Sequence, residues 1–78
     1  MQVEIDPEVD AAYVRFTDLS VARTATIDSQ RIIDYGPDDE VVGVEFLALH
    51  QGVDLRGLPR HDELARLFDS LGTIPVHA

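Results

Sequence analysis

Apolar and polar positions alternate in short runs through residues 1–47, and turn chemistry separates the runs. Val3 and Ile5 alternate with Gln2, Glu4 and Asp6, the period-2 signature of a strand with one face turned inward. Asp6-Pro7-Glu8-Val9-Asp10 breaks the run, with Asp and Pro in the order a type I turn favours. From Ala11 to Thr17 the alternation returns, with Ala12, Val14 and Phe16 on one face and Ala11, Tyr13 and Arg15 on the other. Asp18-Leu19-Ser20 reverses the chain, and Val21 to Ile27 is rich in β-branched residues. Asp28-Ser29-Gln30 turns it again before Arg31 to Tyr35. Gly36-Pro37-Asp38-Asp39-Glu40 is the clearest loop. Val41 to Leu47 is the most apolar run. Its Val42, Val44 and Phe46 share one face, and Val41, Gly43, Glu45 and Leu47 the other.

The pattern predicts five strands, at 2–6, 11–17, 21–27, 31–35 and 41–47. Links of a few residues force antiparallel neighbours, because a parallel pair needs a crossover of a dozen or more. The expectation is therefore an antiparallel meander. After a Gly-punctuated stretch, Pro59 suits the opening of a helix, and Leu64, Leu67, Phe68 and Leu71 recur at helical spacing. Asp62 and Glu63 suit its positive end, and Gly72 its left-handed termination. Ile74-Pro75-Val76 reads as an extended tail, and His77 as a loose terminus. The fold class is α+β, a single domain over 1–78: a meander in 1–47, then a loop and one helix (60–71) packed on the sheet.

Size bears on partners. A chain of 78 residues builds a modest core, and without cysteine it has no disulfide to add. A helix of ~12 residues covers ~18 Å, only part of one sheet face. Apolar groups on the second face predict a homodimer, through that face or through an edge strand.

The net charge is −9, and all six basic residues are arginine. Residues 1–47 hold eleven carboxylates against three arginines, so the strand-rich part carries most of the negative field. That field repels phosphate and anionic membranes and attracts a basic protein. No apolar run reaches transmembrane length, and the first residues have no signal-peptide character, so the reading predicts a cytoplasmic location.

The chemistry motifs are sparse. Asp6 to Asp10 spaces acids like a calcium loop, but Ala11 and Thr17 stand where that loop needs Gly and Glu. Asp38-Asp39-Glu40 has the composition of an exposed loop as much as of a hard-cation site. His50, His61 and His77 have no zinc-helix spacing. Ser20, Ser29 and Ser70 lie in no nucleophile elbow, and no Gly-rich phosphate loop is present. We assign no catalytic residue, metal or cofactor from the sequence. Glu45, inside the most apolar strand, is expected to pair with Arg15 across strands.

Two stretches, Ile5 to Phe16 and Ile27 to Tyr35 with Val41 to Leu47 after an acidic loop, together resemble the domain-of-unknown-function 2283 family of small bacterial proteins. The resemblance covers residues 3–47. It implies a strand-rich domain with no established activity, and a candidate antitoxin role beside a small toxin-like protein. The positions matching its pattern are Asp10, Tyr13, Asp34, Gly43 and Glu45. Asp38-Asp39-Glu40 departs from it, standing where an Asp-Gly turn is common. Asp10, Tyr13, Asp34 and Glu45 are the candidate functional or interface residues. Two functions follow as expectations. One is an acidic interaction module for a small basic protein. The other is a homo-oligomeric ligand- or metal-binding protein without catalysis.

Overall fold

Alternating β-branched and aromatic side chains hold five segments extended: β1 Gln2–Asp6, β2 Ala11–Arg15, β3 Arg23–Thr26, β4 Arg31–Tyr35 and β5 Val41–Phe46. The computed structural model describes residues 1–78, which divide into two compact units, Met1–Ala48 and Leu49–Ala78. All five strands lie in the first unit, in one antiparallel sheet ordered β1-β2-β5-β4-β3. The antiparallel five-stranded sheet is the one the sequence predicts.

One connection departs from the neighbour-to-neighbour path. Residues 16–22 carry the chain from β2 past β5 and β4 to β3, giving a Greek-key order. The crossing spans three inter-strand spacings, roughly 14 Å, which a link of that length covers at ~3.3 Å per residue. Burial favours this order. β5, the most apolar strand, takes the centre, and the polar Arg23–Thr26 takes an edge. β2 is shorter than its alternation predicts because the Phe16 and Thr17 amides both donate to the Val42 carbonyl, at 2.7 and 3.4 Å. β3 is likewise shorter than 21–27, and β5 ends one residue early.

Register sorts the two faces. Val14, Val44 and Ile33 form one cross-strand row, Ala12 and Phe46 the next, and all five are buried, as is Val42. The opposite face carries Tyr13, Glu45 and Ile32 in one row, and Arg15, Gly43, Asp34 and Thr24 in another. A bulge at Asp34/Tyr35 shifts the pairing so that Tyr35 meets Val41.

The turns use acids as expected. Asp6 accepts the Glu8 amide at 3.1 Å, and Asp10 closes the β1–β2 turn with φ 54°. Asp28 accepts the Gln30 amide at 2.9 Å and the Arg31 Nε at 3.0 Å. Asp39 adopts φ 61°, a left-handed conformation that glycine takes more readily than other residues.

The second unit is built on a single 3₁₀ turn (Leu49–Gln51), two short parallel strands, β6 Val53–Asp54 and β7 Val76–His77, and helix α1 His61–Leu71. Leu64 and Phe68, from the predicted apolar stripe, are fully buried. Arg60 stands in the left-handed region (φ 57°), so the helix starts at His61 and Pro59 lies outside it. His77, expected to be loose, pairs with Asp54 and turns its ring to the Gln51 carbonyl at 3.2 Å. No helix is long and apolar enough to cross a membrane.

Gly72 ends α1 with φ 72°, and its amide donates to the Phe68 carbonyl at 3.2 Å. An L side chain is strained in that conformation. Gly72→Ala is expected to lower stability by ~1 kcal/mol in urea denaturation.

Candidate functional site

The polar face of the sheet is organised across three strands. Tyr13 stands on β2 and Asp34 on β4, with β5 between them. The phenol hydroxyl nevertheless donates to Asp34 Oδ2 at 2.8 Å. Gly43 makes this reach possible. A Cβ built there would fall onto the Tyr13 phenol, with ring atom Cε1 at 2.7 Å. The tyrosine therefore fills the space that a side chain on the central strand would occupy. The other Asp34 oxygen, Oδ1, accepts the Thr24 hydroxyl of β3 at 2.6 Å. One carboxylate thus joins β2, β4 and β3.

Tyr13 also centres a second arrangement. Its direct cross-strand neighbours are Glu4 on β1 and Glu45 on β5, so the row reads Glu4–Tyr13–Glu45. Arg15 follows two residues along β2 on the same face, its guanidinium carbon 5.6 Å from the ring centroid, within cation–π range. Its Nη1 donates to the Thr17 carbonyl at 3.3 Å. The expected Arg15–Glu45 pair is not formed, because register sets Arg15 opposite Gly43 and Glu45 opposite Tyr13. Neither the Glu4 nor the Glu45 carboxylate makes a hydrogen bond or ion pair within the chain. Beside the row, an open cleft of about 450 Å³ is lined by Glu4, Ile5, Asp6, Val9, Tyr13 and Glu45 among others.

Of the four candidate residues, Tyr13 and Asp34 meet directly and Glu45 stands beside Tyr13. Asp10 is apart from them, in the left-handed position that ends the β1–β2 turn. Sequence reasoning missed Glu4 and Thr24. Glu4 could have been found from turn length: a turn over 7–10 pairs Asp6 with Ala11, and counting back pairs Glu4 with Tyr13. Thr24 could have been found the same way: the Asp28–Gln30 turn sets Ile27 opposite Arg31, and counting back pairs Thr24 with Asp34.

Burial of the phenol, then its hydrogen bond to the Asp34 carboxylate and the charge of that group, push the Tyr13 pKa up to about 12. At neutral pH the phenol is a fixed donor, poorly matched to acid–base catalysis. No group of three His, Asp or Glu side chains converges to hold a metal ion.

Two outcomes follow. With Tyr35→Phe leaving Tyr13 as the one phenol, its ultraviolet titration is expected to centre near 12, and adding Asp34→Asn is expected to bring it toward the ordinary value near 10. The folded state holds this proton more tightly than the unfolded chain. The associated stability is full below pH ~10 and is lost as pH rises through about 12. Urea midpoints across that window check the sign, and in Tyr13→Phe the decline is expected to be smaller.

No curated protein and no solved structure matches the chain. The family model described as "Protein of unknown function (DUF2283)" matches residues 2–49, more than half of the 78 and the whole of the sheet. The chain belongs to the DUF2283 family.

Proposed function

We propose that the chain is a non-catalytic interaction module that binds a basic protein through the polar face of its sheet. The observation that carries this reading is the row Glu4–Tyr13–Glu45: an aromatic ring flanked by two carboxylates that have no cation of their own. Arg15 already lies at cation–π distance from the ring, so the two carboxylates carry the attraction, each offering a guanidinium or ammonium group a charge-assisted hydrogen bond. Asp6 adds a further carboxylate at the cleft, and the −9 net charge steers a basic partner toward it. A small basic toxin-like protein encoded beside the chain is the first partner to test, and binding it would give the chain an antitoxin-like role. The ligand- or metal-binding reading has less support, since no three metal-ligating side chains converge and the cleft is open.

The test is co-purification of the tagged chain with such a basic protein, repeated with Glu4→Gln/Glu45→Gln. Binding should weaken with salt, and the double variant should lose about 1–3 kcal/mol of affinity while keeping its fold. Equal affinity of wild type and variant would remove this face as the binding surface.

A further inference from the structure

The sheet has two open edges, β1 and β3, and they differ in chemistry. An edge strand offers unpaired backbone groups to any extended segment that matches it. β3 is the shorter edge, Arg23-Thr24-Ala25-Thr26, and holds no carboxylate. Its arginine is occupied, stacked on Tyr35 at 4.1 Å from the centroid and paired with Asp39 at 3.1 Å. β1 is exposed along nearly its whole length. Gln2, Glu4 and Asp6 lie on the face of Tyr13 and Glu45, while Val3 and Ile5 lie on the other.

Resting on the reading above, we infer that β1 is the docking edge, and that its occupant is an extended segment of a basic protein in which Arg or Lys alternates with apolar residues. Added beside β1, such a segment sets its basic side chains against Glu4 and Asp6. Every second residue then lies on the face of the Glu4–Tyr13–Glu45 row, and its apolar residues lie beside Val3 and Ile5. Ile5 is 46% exposed without such a neighbour. The same charges select against a second copy of this chain. Full-length antiparallel self-pairing of β1 sets Glu4 opposite its own counterpart, and the next in-phase register toward the turn sets it opposite Asp6. Like charges directly opposite each other are destabilising. These two registers are disfavoured for a homodimer through β1.

The test uses the full chain and synthetic peptides alternating Arg and Val. One peptide is unmodified. Two others carry N-methyl groups on one or the other set of alternate amides, so that each blocks one hydrogen-bonding edge without changing charge. A fourth has the same composition, with Arg and Val in separate blocks. The alternating peptide is expected to bind, to bind at least ~tenfold less well when either edge-blocking pattern meets β1, and to protect β1 amides from hydrogen exchange. Glu4→Lys/Asp6→Lys is expected to abolish binding. Equal binding by all four peptides, without protection of β1, would overturn the edge inference and leave the acidic-face reading standing. Failure of every basic peptide to bind would overturn both.

Discussion

A tyrosine on β2 can reach an aspartate on β4 only if the strand between them gives up a side chain. Gly43 does this on the central strand, and the polar face of the sheet is arranged around the consequence. The phenol lies over the glycine, its hydroxyl meets Asp34, and Asp34 in turn holds Thr24 on the edge strand. A charge-assisted hydrogen bond is worth ~1.5–3 kcal/mol when shielded and less at a half-exposed site. The network therefore acts chiefly to fix a geometry. It holds the Tyr13 ring in place between Glu4 and Glu45.

That fixed ring separates two uses of the acidic residues. Asp34 is spent inside the fold, as acceptor to two hydroxyls. Asp28, Asp39, Asp54 and Glu63 are spent on arginines of the chain itself, at 2.7–3.1 Å. Glu4 and Glu45 are spent on nothing in the chain and flank an aromatic face. Surface ion pairs contribute little to stability, so the self-paired acids mainly reduce the free negative charge. Of what remains, Glu4 and Asp6 lie on the edge strand β1 and Glu45 beside Tyr13. The same charge that would make β1 a docking edge for a basic segment disfavours its full-length antiparallel pairing with a second copy.

Much of this was legible in the sequence, and for identifiable reasons. Period-2 runs located β1, β2 and β5, because one buried face forces alternation, while β-branched content and flanking turns located β3 and β4. The turn acids marked every hairpin, and Leu64, Phe68 and Gly72 marked the helix and its end. Strand order was not legible at one point. The link over 16–22 is ambiguous between a tight reversal and a crossing, and the choice depends on burying β5 centrally. The site was half legible for the same reason. Tyr13, Asp34 and Glu45 were named through the family resemblance, but their contacts depend on register. Arg15 was matched to Glu45 by face alone, whereas register sets it opposite Gly43. Gly43 was legible only as a break in the apolar pattern of β5, and the group that fills its space is the Tyr13 phenol.

The most direct test of Gly43 as the gap that admits Tyr13 is a double-mutant cycle, with stability measured by urea denaturation. The account predicts that Gly43→Ala costs about 1–3 kcal/mol in the wild-type chain, because the new methyl group displaces the ring. In a Tyr13→Ala background the same change is predicted to be neutral or slightly stabilising, since alanine restricts the unfolded chain more than glycine does. An equal cost in both backgrounds would contradict the account, and would mean that the glycine serves the backbone of β5 rather than the tyrosine that crosses it.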